Sequence, residues 1–483
     1  MADVQVTSVM CSDVQGGTSR GSPVSSAEPV RVLMVAIGGY GYHYLRTLLD
    51  EVPADRAILA GVVDPFARDS PAWSTVESLG VPVCETVDGF YDAGHQADLA
   101  VVVSPIHMHV PQSIAALGRG SSVLCDKPIA ATIQETRALA AARDRAGRFV
   151  LVGYQWSFSA AIQALKRDLL AGVFGRPRRL VTLCCWPRPL AYYRRNTWAG
   201  RLRDADTGAW VLDSPANNAM AHFLHNACFL LGPTAHLSAR PSDVCAELYR
   251  ANPIDSADTA ACRIILDGGC EVLFLASHAT DQAIAPRFRL ECDHGVVTFG
   301  EDDRIITATL RSGAVRHYGD PDGTPQFTKL HTAIAQVRDS IALRRDSGGQ
   351  VLEPRAQALD PGDPVRDPDG PTCGIEAAAA QTLCVNAMHD SVPDIVPFPE
   401  GLVMMRDGDR LSVPGLDGAL LRCYERWSLP SEMGVPWARA GRTIDVTHYS
   451  DFPGGSAASA GSSDPADTRR APSPQGGSRS TGR

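Results

Sequence analysis

Short apolar runs recur through the first third of the chain: RVLMVAI (Arg31–Ile37), AILAGVVD (Ala57–Asp64), LAVVVS (Leu99–Ser104), SSVLCD (Ser121–Asp126) and RFVLVGY (Arg148–Tyr154). None alternates with polar residues, which suits strands buried on both faces. Segments of helical spacing lie between them: YHYLRTLLDEV, a stretch near HVPQSIAALGRG, and Ile133–Ala146. Strand and helix in turn, at this rhythm, predict a doubly wound parallel sheet.

The pattern changes beyond Tyr154. A helical stretch from Ala160 to Ala171 ends at Gly172, and the apolar run RRLVTLCCW follows. NNAMAHFLHNACFLLG (Asn217–Gly232) has helical spacing and sets His222 and His225 among apolar neighbours. From Ser242 to Tyr318, DVCAELY, AACRIIL, CEVLFLAS, FRLEC, VVTFG and RIITATL read as successive strands parted by turn signals such as DGG and RSG. That predicts an antiparallel sheet. Helices are predicted near Phe327–Arg344 and over IEAAAAQTLCVNAMHDS, with an exposed Pro/Gly/Asp-rich connection, Asp346–Thr372, between them. Ile395–Gly454 carries LLRCYERWSLPSEMGVPWARAG, which suits a cover over the second half of the chain or a subunit interface.

Composition narrows the class. The net charge of −9 and the lack of a Lys/Arg stripe argue against nucleic acid. No apolar run reaches the roughly 18 residues of a membrane helix. The first 29 residues lack a charged region followed by an apolar one, so no secretory leader is expected. Residues 1–29 and 454–483, rich in Ser and Gly, read as disordered tails. The thirteen cysteines include no Cys-x-x-Cys pair, and many lie in apolar segments. They point to buried free thiols in a reducing cytoplasm and away from a zinc site.

The first strand-to-helix turn reads AIGGYG: Ala36, Ile37, Gly38, Gly39, Tyr40, Gly41. It matches G-x-G-x-x-G with alanine in the first place. Small residues there let backbone N–H groups approach a pyrophosphate at the helix N-terminus. Asp64 ends the second run, 23 residues after Gly41. A carboxylate at that distance accepts hydrogen bonds from an adenine-ribose hydroxyl and repels a 2′-phosphate, which favours NAD over NADP.

Lys127, in CDKPIA, leaves the fifth run at its carboxyl end, where doubly wound sheets bind ligands. Pro128 biases it toward extended backbone. An ammonium held there can hydrogen-bond a substrate hydroxyl and tune a neighbouring base. The alternative is a surface lysine leaving a strand.

SPIHMH, CDKPIA, LVGYQWSF and LLAGVFGRPRRL occur in the order and spacing of the glucose–fructose oxidoreductase / inositol dehydrogenase (Gfo/Idh/MocA) family. The chain resembles that family from about Arg31 to Arg344, most closely up to Tyr154. Asp126-Lys127-Pro128 looks like its Glu-Lys-Pro signature. Pro105 and His109, just past Ser104, match its Pro-x-x-x-His. The resemblance implies a Rossmann domain followed by an α+β domain on a large, mostly antiparallel sheet. It also implies hydride transfer between NAD(P) and a sugar, cyclitol or related hydroxyl compound. The expected division is an NAD-binding domain at 30–153, a substrate and oligomerisation domain at 154–394, and an extension at 395–453. Ser104, Pro105, His109, Asp126 and Lys127 are expected to join the AIGGYG turn and Asp64 around the cofactor.

The family commonly carries Asp-x-x-x-His-x-x-Asp on a helix ending in Leu-Gly. Aligned on Leu231-Gly232, His222 falls on the family's catalytic histidine, Asn218 on the first Asp and His225 on the second. Asn218 cannot ionise, and Asp213 is a candidate for the missing carboxylate. Residues three or four apart share a helix face, so Asn218, His222 and His225 are expected to form one polar stripe. Histidine suits proton transfer near neutral pH. His222 is the candidate base, and Lys127 the candidate for orienting the hydroxyl. A metal reading needs a third ligand and is not favoured; histidines serving only structure are the other alternative.

Tyr154 and Trp156 follow the last run and are expected to line the cleft. YYRRNTWAGRLRD (Tyr192–Asp204) reads either as a substrate loop for hydroxyls or an anionic group, or as a solvated basic loop. His107 reads as a loop residue. Together these features point to a cytoplasmic, NAD-dependent oxidoreductase acting on a secondary hydroxyl or ketone of a polyhydroxylated small molecule. No metal, nucleic acid or membrane is expected. A homodimer or homotetramer through an open sheet face is what the resemblance implies. Two other readings stay open: a non-catalytic NAD- or sugar-binding regulator, and an enzyme that recycles its NAD in epimerisation or glycosidic cleavage.

Overall fold

The computed structural model describes residues 28–346 and 372–454. The predicted tails and the Asp346–Thr372 connection lie, but for their edges, outside the described residues. The first sheet has six parallel strands: β1 (Val30–Val35), β2 (Ala57–Val63), β3 (Val83–Cys84), β4 (Leu99–Val102), β5 (Ser122–Cys125) and β6 (Val150–Val152). Their order is β3-β2-β1-β4-β5-β6. Helices α1 (Tyr40–Asp50), α2 (Trp73–Leu79), α3 (Val87–Asp92), α4 (Ile106–Gly118) and α5 (Ile133–Ala146) connect them. Val32, Leu33, Met34 and Val35 are all closed to solvent. Both faces of the sheet are covered, which explains the lack of alternation. The order reverses between β1 and β4, and ligands bind at such a switch point beyond the carboxyl ends of the strands.

The second sheet has ten strands. Those in the main path are β7 (Pro177–Cys185), β8 (Pro241–Arg250), β9 (Thr259–Leu266), β10 (Glu271–Ser277), β11 (Ile284–Cys292), β12 (Gly295–Phe299), β13 (Ile306–Leu310), β14 (Val315–Gly319) and β15 (Val396–Pro397). They run in the order β14-β13-β12-β11-β7-β10-β9-β8-β15, antiparallel except for β10 with β7 and β15 with β8. The run RRLVTLCCW becomes the central strand β7. Helices α6 (Ala160–Leu170), α7 (Leu190–Tyr193), α8 (Ala221–Leu230), α9 (Thr328–Asp346) and α10 (Ile375–Ser391) accompany this half.

One face of this sheet, with Leu180, Val272 and Phe274, joins the main core. The other presents Val181, Leu183, Leu273, Leu275 and Tyr249 to the extension. There β16 (Met404–Arg406) and β17 (Arg410–Ser412) form a hairpin, α11 (Leu416–Arg426) follows, and β18 (Ile444–Asp445) pairs with β8. Leu416, Leu420, Cys423 and Tyr424, at helical spacing, pack on that outer face. The open face expected for a second copy is therefore filled by the chain itself. Among the described residues, no helix is long and apolar enough to cross a membrane, and no three His, Cys, Asp or Glu are placed to hold a metal. The described cysteines are all free.

Candidate active site

The AIGGYG turn leaves β1 at the switch point. Ala36 and Gly39 both take left-handed backbone, φ 68° and 49°. A Cβ at Gly41 would stand 2.2 Å from the Ala36 carbonyl oxygen, so only glycine fits. Gly38 and Gly39 are exposed, with open space where a Cβ would point. The first turn of α1 has no side-chain cap and no acid. Bare N–H groups on an approachable backbone suit an anion, so these residues fit a dinucleotide's pyrophosphate. The Tyr40 ring turns the other way. It stacks on Phe327 at 5.8 Å and accepts from Gln326.

Asp64 holds this turn in place. Its carboxylate accepts the Ile37 N–H at 2.9 Å and the Phe66 N–H at 2.8 Å. Each oxygen keeps a lone pair for a ribose hydroxyl. Across the switch point, Ser104 Oγ donates to Gln112 at 2.5 Å, and Pro105 precedes α4 as its N-cap. His109 is buried. Its Nδ1 lies 2.7 Å from the Pro128 carbonyl oxygen and its Nε2 2.8 Å from that of Ser104. The ring thus ties the loop after β4 to the loop after β5 and is screened from any ligand. Asp126 is also buried and accepts from Tyr44 Oη at 2.9 Å and Lys329 Nζ at 3.1 Å. Both were expected at the cofactor; here His109 spends its ring on the loops after β4 and β5, and Asp126 ties the end of β5 to α1 and α9.

Lys127 emerges half-buried from the end of β5, through a cis peptide to Pro128. Its Nζ donates to the Asn218 carbonyl oxygen at 2.8 Å and, more weakly, to Oδ1 at 3.4 Å. Asn218 Nδ2 donates to Asp213 Oδ1 at 2.8 Å, and the Gly200 N–H donates to Asp213 Oδ2 at 2.6 Å. Burial lowers the ammonium's pKa, opposed by Asp126 and Asp213, while Lys329 and Arg195 lower it further.

His222 is half-buried, with its Nδ1 enclosed and without a hydrogen-bond partner. Burial drives its pKa well below the ordinary value, and the charges of Lys127 and Lys329 add to this. The ring is a neutral base near pH 7. Its edge meets Tyr154 at 5.8 Å.

The predicted polar stripe does not form. Asn218 lies in a turn, its N–H on the Ser214 carbonyl, and α8 begins only at Ala221. His225 sits in the core, stacked on Tyr154 at 3.9 Å, with Nε2 2.9 Å from Ser157 Oγ and 3.7 Å from Cys373 Sγ. Tyr154 is fully buried and donates to Gln381 at 3.0 Å. Trp156 packs on Phe223 and Phe299 and donates to Asp322 at 2.7 Å. These three were expected to meet substrate; all are closed off and support the helix that carries His222. His107 faces Asp204 at 3.9 Å.

Lys329 is the functional neighbour that sequence reasoning missed. It is buried, and bonds Asp126 and the Gly153 carbonyl. Its place four residues before Ala333, on the buried face of α9, was the available signal. Two polar residues of α10 were missed as well. Asn386 accepts from the Ile133 N–H and donates to the Ala131 carbonyl, at 2.9 and 2.8 Å. Gln381 donates to the Ala216 carbonyl at 2.9 Å. One helix thereby grips both the loop after Lys127 and the loop before His222.

Comparison with known proteins bears on the family and the fold. Residues 30–154 match the family described as GFO_IDH_MocA, an oxidoreductase family with an NAD-binding Rossmann fold. A provisionally named UDP-kanosamine synthase oxidoreductase subunit of Amycolatopsis mediterranei is 30% identical over 311 residues, 59% of this chain and 82% of that one. Inositol 2-dehydrogenase 1 of Saccharopolyspora erythraea is 34% identical over 196 residues, 40% of this chain and 57% of that one. The WlbA dehydrogenase of Bordetella pertussis, solved with NADH and UDP-GlcNAcA, shares the fold at TM-score 0.56 and 18% identity, over 77% of this chain and 99% of that one. The chain belongs to the Gfo/Idh/MocA oxidoreductase family, and its first sheet is that family's NAD-binding Rossmann fold.

Proposed function

We propose that this chain is an NAD-dependent dehydrogenase that moves hydride between nicotinamide and a secondary hydroxyl or ketone of a sugar, cyclitol or related polyol. The observation that carries the reading is a neutral imidazole, His222, within the field of an ammonium, Lys127, at the carboxyl end of the sheet. Bound NAD supplies the hydride acceptor. Lys127 has three N–H donors; two point to Asn218, and the third is available to the substrate hydroxyl. That donation fixes the hydroxyl and favours its ionised form. His222, kept neutral by burial and by the same lysine, takes the proton. Asn218 steadies Lys127 mainly through its backbone carbonyl, so the role needs no carboxylate at that position. This supports an enzyme over a regulator that has lost its chemistry. Asp64 favours NAD over NADP. In this reading residues 30–153 hold the cofactor, 154–394 hold the substrate, and 395–453 take no part in the chemistry.

The test is NADH absorbance during a screen of sugars and cyclitols, with the wild type and His222→Asn. Net NADH from one compound is expected, and the variant should lose about 10²–10⁴-fold in kcat while still binding NADH by fluorescence. The acid limb of kcat/KM should lie below the ordinary histidine pKa of about 6.5, because His222 is depressed. Turnover without net NADH would replace the proposal with a recycling mechanism. NADH binding without any turnover would leave a regulator.

A further inference from the structure

Two arginines on the segment after β7 make no ion pair among the described residues, and one of them, Arg195, is near Lys127. Arg188 lies just beyond β7, and Arg195 just beyond the short helix α7. Their guanidinium carbons stand 4.9 and 3.7 Å from the centroid of one ring, Tyr192. Arg188 Nε is buried without a hydrogen-bond partner, and Arg195 uses Nη1 on the Tyr192 carbonyl at 2.5 Å. Arg203 is placed in a similar way, 3.3 Å over the Trp210 ring, whereas Arg143, Arg304 and Arg406 each meet a carboxylate within 3 Å.

The loop that carries them is fixed over the site. Trp198 packs with Ile106, Ala131 and Val211, against the segments that follow β4 and β5. Gly200 binds the same Asp213 that holds Asn218, and Asn218 holds Lys127. Arg195 is near enough to act on Lys127 and on Asp213. Lys127 and Arg195 thus share a region with two carboxylates, Asp126 and Asp213, each already bound to two donors, and Arg188 lies against the same ring as Arg195. Guanidinium groups on an aromatic platform, with free donors and surplus positive charge, suit a planar or tetrahedral oxyanion.

We propose that the substrate carries an anionic group, a sugar carboxylate or a phosphate, which Arg188 and Arg195 hold against Tyr192. This rests on the dehydrogenase reading for the identity of the site, and the test reads binding so that the two can fail separately. The protein loaded with NADH is titrated calorimetrically with D-glucose, D-glucuronate and UDP-glucose. One of the two anionic probes is expected to bind at least tenfold more tightly than glucose. Glucuronate would identify a carboxylate, UDP-glucose a phosphate. Arg195→Gln, at an exposed position, and Arg188→Gln should each remove most of that advantage and leave glucose binding unchanged. Equal binding of charged and neutral probes, no binding of either anion, or full anion affinity in both variants would overturn the proposal. If the preference holds while no sugar is oxidised, the anion site stands and the dehydrogenase reading falls.

Discussion

Ala36 sits where a Gly-rich phosphate turn ordinarily begins, in left-handed backbone that an L side chain resists. Ala36→Gly should relieve that strain, partly offset by glycine's greater freedom in the unfolded chain. The expected gain is about 1 kcal/mol or slightly less, measured by urea unfolding. Gly41→Ala should abolish NADH binding, because its Cβ has no space beside the Ala36 oxygen. His225 offers a pH test. Burial takes its pKa down to about 3. Between that value and about 6.5 only the unfolded chain binds the proton, so stability falls as pH drops through this window and is unaffected above it. The slope approaches about 1.4 kcal/mol per pH unit. His225→Phe should flatten the stability curve by that amount across the window, whatever it costs at neutral pH. The places of Lys127 and His222, just after β5 and on α8, were legible in the sequence from the apolar runs around them, while their catalytic roles belong to the proposal. The company these residues keep was not legible: a backbone carbonyl at Asn218 and a lysine from α9 leave no spacing signal.

Elements were more legible than their ends. Ile133–Ala146 and Ile375–Ser391 were predicted with the bounds they have, because Thr132 with Glu135 caps one, and Gly374 and Val392 bound the other. β3 has two residues and β14 is largely exposed, so neither makes an apolar run. The start of α8 was misplaced for a local reason: the Asn217 and Asn218 N–H groups both bond the Ser214 carbonyl, a turn that competes with helix. α10 matters most to the site. It is buried almost all round, so it shows no amphipathic stripe that would say what it touches. Asn386→Leu should strand the Ile133 N–H and the Ala131 carbonyl, at about 1–3 kcal/mol for each buried group. Because that loop starts at Lys127, kcat should fall with it while NADH affinity changes little. Thermal unfolding and steady-state kinetics on one preparation would separate the two effects.

At the scale of the whole molecule, the two sheets were readable from apolar runs and turns, and the extension read as either a cover over the second half or a subunit interface, a choice the apolar pattern does not make. The strands of the second sheet are apolar on both sides, which in sequence says only that something covers each. In the structure that cover is the extension, with Leu416 and Leu420 on Val181, Leu183, Leu273 and Leu275. A second copy pairing through that face would have to displace the extension. Leu420 is fully buried there, so Leu420→Ala should cost about 2–5 kcal/mol. No residue of the candidate site comes from the extension, so turnover at low temperature should be kept. A chain ending at residue 394 leaves the apolar face bare, and bare faces of this kind associate. Light scattering should show the shortened chain self-associating at concentrations where the full chain keeps its mass. An unchanged mass, with the fold intact by circular dichroism, would mean that the extension is not what keeps that face from pairing.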